Sequence, residues 1–233
     1  MSGTESFQPA FSAGFGIPPA TFMLNLYNSA LRFCGNTRLA SLTDNQEARL
    51  LLDDAWNDGA VQDMLEQGLW YFARRTTKLT VVDPPLQTNF GYKNAFLKPT
   101  DWVRTMGIAS DDRFQVPITQ VSDESGYLFA DLQTVFFAYV SNDPQYGGAY
   151  SRWPQTFYRA VAAHLAEMVA WKLTADLRRT EAVKKEARHL LTDARSKAAM
   201  NESAAFLPLG TWVRARLGNR SSLDQGNRNS LYG

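Results

Sequence analysis

The chain has one cysteine, Cys34, and two histidines, His164 and His189, in 233 residues. One thiol excludes an intramolecular disulfide framework, and so few soft ligands leave a structural zinc site without a donor set. Long apolar runs are missing as well. The longest, 135–140, is far short of the ~20 residues that cross a bilayer. The first 22 residues carry no Lys or Arg and no dense apolar stretch, so neither a membrane span nor a secretory signal is expected. A dominant charge sign is also lacking, since 24 Lys and Arg stand against 23 Asp and Glu, a formal net charge of +1. No global field then selects nucleic acid or lipid, and any polyanion contact has to be local. Nor is there a nucleophile elbow, a phosphate-cradling glycine loop, a dinucleotide fingerprint or a paired-cysteine motif.

What the chain does have is core material. With 45% hydrophobic and 12% aromatic residues it can bury a core without staples, and its length corresponds to about one and a half ordinary domains. Residues 1–22 are rich in glycine and proline but carry Phe7, Phe11 and Phe15 at regular intervals, the pattern of an extended arm that orders against a partner. From 24 to 34 the apolar positions Leu24, Tyr27, Leu31 and Cys34 recur at helical spacing, and Gly35-Asn36 stops them. Thr43 and Gln46 form a capping-box pattern, predicting a second helix with the stripe Ala48, Leu51, Leu52, Ala55, Trp56, Gly59, Ala60, Met64 and Leu65 that frays at Gly68.

Between 76 and 141 the period drops to two, with β-branched and aromatic runs at 78–82, 102–108, 115–121, 127–130 and 135–140. Pro117 lacks a donor and demotes its run to an edge or bulge. Helical spacing resumes after Pro154, with Phe157, Val161, Leu165 and Met168 on one face and several alanines that make the helix thin. Val183, Ala187, Leu190, Leu191, Ala194 and Ala198 line a last helix ending near 200. The expected fold is mainly α: an antiparallel bundle of about four helices with a small antiparallel β insertion and extended terminal arms. Its expected divisions are an arm at 1–22, bundle halves at 23–75 and 151–205, the β insertion at 76–141, and a basic tail at 206–233.

Chemistry-bearing residues are sparse. His164 and Glu167 fall three apart on one helical face, a spacing that serves a metal or an acid–base pair, but no further His or Cys is placed to complete a set. Asp53, Asp54 and Asp58 read as a solvated helix face, and Cys34 as a small buried hydrophobe. Trp56 and Trp153 are expected in the core, and Trp212, in a glycine-rich tail, at a partner contact. No catalytic residue, metal ligand or cofactor is expected. The tail holds Arg214, Arg216, Arg220 and Arg228 against Asp224 alone.

In order along the chain, Asn25-Leu-Tyr-Asn-Ser-Ala-Leu-Arg-Phe-Cys-Gly35, Arg38-Leu-Ala-Ser-Leu42, Glu47-Ala-Arg49, Gly68-Leu-Trp-Tyr-Phe-Ala-Arg74, Leu97-Lys-Pro-Thr-Asp-Trp-Val-Arg104, 139–144 and Trp153-Pro154 resemble phage head-to-tail adaptor proteins, the tail tubular protein A family. The resemblance spans about residues 24–217, and none of its motifs is catalytic. It implies a non-enzymatic virion protein of the neck, made in the host cytoplasm and assembled as a ring of about twelve copies. The portal protein would sit on one side and the tail nozzle or tail tube on the other, with genomic DNA passing through the lumen and no membrane contact. The tail would dock on the portal through Trp212, Arg214, Arg216, Arg220, Arg228, Leu231 and Tyr232, while the arm with Phe7, Phe11 and Phe15 would reach a further partner. Near-neutral charge suits a conduit, because a strongly basic lumen would hold phosphate. Two other classes remain open on the residues alone: a nonspecific DNA-binding module using the tail arginines, and a virion-borne cell-wall hydrolase using Asp63 or Glu66.

Overall fold

The computed structural model describes residues 20–82 and 91–201. The first helix, α1 (Ala20–Cys34), buries Leu26, Tyr27, Ala30, Leu31 and Cys34. It ends in a left-handed turn at Gly35, where the Asn36 amide donates to the Leu31 carbonyl and the Gly35 amide to that of Arg32, at 3.0 and 3.1 Å. This pair of bonds satisfies carbonyls that a helix end leaves open, and glycine adopts the required positive φ without strain.

The predicted second helix is two helices, α2 (Glu47–Asn57) and α3 (Ala60–Glu66). Gly59, at φ 99°, breaks it. The apolar spacing continues across the break because both pieces bury their stripes in one core. The expected capping box does not form either, for Gln46 makes no side-chain cap. Instead Asp44 Oδ2 accepts from the Ala40 and Ser41 amides, at 3.0 and 3.1 Å, shaping the preceding loop.

The last two helices are α4 (Gln155–Thr174) and α5 (Leu177–Asn201). Ala175, at φ 48°, turns the chain between them, and Asp176 Oδ1 accepts the Arg178 amide at 2.9 Å. Helix α4 is buried nearly all round, through Phe157, Ala160, Val161, Ala162, Ala163, Leu165, Ala166, Val169 and Ala170. A helix apolar on every side belongs at the centre, and α1, α2, α3 and α5 all pack against it.

Six strands form two antiparallel sheets of three. In the first, β6 (Thr134–Ser141) lies between β1 (Arg74–Thr80) and β3 (Trp102–Ala109). In the second, β5 (Tyr127–Ala130) lies between β2 (Asn94–Leu97) and β4 (Ser122–Glu124). A bridge between Val81 and Phe96, with the Val82 amide on the Ala95 carbonyl at 2.9 Å, joins them. The run 115–121 contributes only an isolated bridge from Pro117 to Ala109.

The fold is therefore mixed α/β and not a mainly α bundle: 48% of the described residues are helical and 21% lie in strands. The sheets are also more than an appended insertion. Val103 of β3, Val140 of β6 and Ala73 belong to the same buried cluster as the helices. A second cluster, with Leu79, Phe96, Leu128, Val135, Phe137 and Tyr139, forms where the two sheets meet. Strand β1 is mostly polar (Arg-Arg-Thr-Thr-Lys-Leu-Thr) because it edges its sheet, so its full length carries little apolar signal.

Candidate functional site

The densest polar cluster sits where helices and sheet meet. Asp101, in the turn before β3, accepts from Tyr139 Oη at 3.1 Å to each carboxylate oxygen, from Ser141 Oγ, and from Arg75 Nη1 at 2.9 Å. Tyr139 and Ser141 alternate on β6, and Arg75 is paired with Tyr139 across β1 and β6, so the sheet register delivers all three donors to one carboxylate. Arg75 also reaches Asp143 at 3.5 Å and lies over the Tyr146 ring, 5.1 Å from its centroid. Burial raises the Asp101 carboxyl, but the hydrogen bonds from Ser141, Arg75 and Tyr139 outweigh it and hold the group below the usual carboxylate range. The Tyr139 phenol is pushed up, by burial first and then by the Asp101 charge.

From this hub the chain turns back to the helices. Gly147 presses on β6: its amide donates to the Ser141 carbonyl at 3.0 Å, and a Cβ there would overlap that oxygen. Its own carbonyl accepts Trp153 Nε1 at 2.8 Å. Trp153 meets Phe157 edge-on at 4.9 Å between centroids, and Phe157 meets Trp70 at 4.7 Å. Trp70 Nε1 donates to the Met64 carbonyl at 2.8 Å, so both indoles are buried with their single donor satisfied. In α1, Asn28 clamps the backbone of Leu39, accepting its amide at 2.8 Å and donating to its carbonyl at 3.2 Å.

His164 lies in a separate cleft of about 450 Å³ between α3, α4 and α5, with Gln67, Glu167, Lys184 and Arg188 on its walls. Asp63 Oδ2 is 3.6 Å from His164 Nε2, and Glu167 Oε2 is 4.0 Å from Nδ1. The buried Nε2 makes no hydrogen bond. Among the described residues no three His, Cys, Asp or Glu side chains converge to hold a metal ion, and no helix is long and apolar enough to cross a membrane.

Asp53 and Asp54 of α2 and Asp58 at its C-terminal cap do not act together. Asp53 accepts Tyr27 Oη at 2.9 Å and pairs with Arg49, whereas Asp54 and Asp58 point to solvent. Burial, followed by the hydrogen bond to Asp53, raises the Tyr27 phenol well above its ordinary value. Cys34 is fully buried, and burial pushes its thiol up. Trp153 is buried and Trp56 half-buried against the core. The expected portal contacts Trp212, Arg214, Arg216, Arg220, Arg228, Leu231 and Tyr232, and the arm residues Phe7, Phe11 and Phe15, lie outside the described residues.

The Asp101 hub escaped the sequence reading. Asp101 appears there only within the segment 97–104, and nothing local ties it to Arg75, 26 positions earlier, or to Ser141, 40 later. No family model matches the chain, and no curated protein matches it.

Proposed function

We propose that the chain is a structural adaptor of a phage neck, assembled as a ring of about twelve copies between portal and tail nozzle or tube, with DNA passing through its lumen. The observation that carries this reading is the meeting of segments bearing the resemblance. Trp70 of 68–74, Asp101 of 97–104, Tyr139 and Ser141 of 139–144, and Trp153 are scattered in sequence, yet they build one joint between helices and sheet. Asn28 of the first segment clasps Leu39 of the second. Distant segments that lock helices to sheet are what a mechanical adaptor requires, since its work is to present faces and ends in fixed relation.

In this reading the tail docks on the portal through its arginines and Trp212, and the protein works as a virion component without turning over a substrate. The test is a truncation lacking residues 209–233, mixed with purified portal rings. The truncated chain should keep the thermal melt of the full chain and fail to co-sediment with portal; retained docking refutes the strap role.

A further inference from the structure

Charge is segregated along this near-neutral chain. Residues 1–176 hold 13 Lys and Arg against 18 Asp and Glu, and residues 177–233 hold 11 against 5. Three helices concentrate the contrast. From 47 to 66, across α2 and α3, six acids face the single cation Arg49, which Asp53 already takes. Helix α5 carries seven cations and three acids, and its one internal ion pair is Lys197 with Asp193 at 2.9 Å.

The exposed charges form two rows. Along α2 and its C-terminal cap, Glu47, Asp54 and Asp58 are exposed and lie 7 and 4 positions apart, and because Asp58 keeps helical backbone angles they fall on one face. On α5, Lys184, Arg188 and Arg195 are exposed and lie 4 and 7 apart, again on one face. Among the described residues none of these six has an ion-pair partner. Read in opposite directions the spacings coincide, and at 1.5 Å per residue both rows are about 16 Å long. Leu50, 46% exposed, sits within the acidic row and offers an apolar contact at its middle. The two helices both pack on α4 and form no packed pair with each other, so the acidic row and the basic row are separate faces of one copy.

We propose that α5 of one copy docks antiparallel on α2 of a second copy, pairing Arg195 with Glu47, Arg188 with Asp54 and Lys184 with Asp58. The contact uses different surfaces on its two sides, so each copy can give one and take one, and repetition closes into a ring where the rotation permits. The inference deepens the neck reading and rests on it, by naming the faces through which copies meet. Opposite charges meet at all three positions in this register, because the 7-and-4 spacing of the acids matches that of the cations read in reverse.

The experiment is sedimentation velocity on the full chain at low salt, with Asp54→Lys, Arg188→Glu, the double variant, and Asp54→Lys combined with Lys184→Glu. Wild type should associate with rising concentration and dissociate as salt shortens the screening length. Each single variant should associate about tenfold more weakly or worse. The matched double variant should return to within about threefold of wild type, and the mismatched one should not. Thermal melts establish that each variant is folded; all substituted side chains are exposed. Association that ignores both single changes, a matched double no better than its parents, or a wild type that stays a single copy at all concentrations overturns the contact. Portal docking through the tail is scored separately. A chain that docks on portal but whose association ignores these substitutions loses this contact and keeps the neck reading.

Discussion

Replacing Asp101 by Asn keeps the shape of the hub and removes its charge. The amide can still accept through one oxygen, but its NH2 group faces the donors Ser141, Tyr139 and Arg75, so at least one bond is lost and another is weakened. Hydrogen bonds to a charged acceptor contribute about 1.5–3 kcal/mol each when buried. The Asp101 side chain is 15% exposed but that of Arg75 is 36%, so the arginine contributes at the low end. The expected loss is about 2–4 kcal/mol, which for a chain of this size lowers Tm by roughly 5–15 °C. The loss should also depend on pH. The folded carboxyl is more acidic than in the unfolded chain, so its contribution is complete above the unfolded value near ~4 and disappears as pH falls through the lower folded value. Melts followed by circular dichroism at pH 7 and at stepwise lower pH measure both effects, and the gap between wild type and D101N should narrow in acid. A variant melting within about 1 °C of wild type at pH 7, or a gap unchanged down to acid, would refute the hub's role.

Tyr27→Phe removes the phenol bond to Asp53 and should cost about 1 kcal/mol in urea unfolding. Because the folded Tyr27 phenol is raised, its contribution is complete below the unfolded value near ~10 and fades as pH climbs toward the folded one, so the variant should show a shallower alkaline limb. Gly147→Ala drives a methyl group into the Ser141 carbonyl and should cost about 3 kcal/mol, read as a lower urea midpoint with an unchanged slope. Ala175→Gly relieves the left-handed turn between α4 and α5 and should stabilise by about 1 kcal/mol in the same assay.

Legibility followed how locally each feature is encoded. Helices α1, α4 and α5 could be read from spacing because each carries a long stripe and a nearby stop, such as Gly35 after Cys34. Gly59 was obscured because the stripes of α2 and α3 bury in one core and keep apparent phase across the break. The sheet was underestimated where strands are polar edges, as in β1, or very short, as in β2 and β4. Its fusion with the helical core could not be read at all, since Val103 and Val140 look like ordinary strand residues until their neighbours are known. The site was least legible. Arg75, Asp101, Tyr139 and Ser141 meet through sheet register, and the match between the rows on α2 and α5 emerges once both are known to be exposed faces of separate helices.

The claim that this chain works by assembly is tested most directly by imaging it in negative stain, alone and mixed with purified portal rings. The account predicts an added ring of about twelve copies coaxial with the portal, with an open central channel. Portal particles unchanged beside free single copies, at concentrations saturating for any docking interaction, would contradict it.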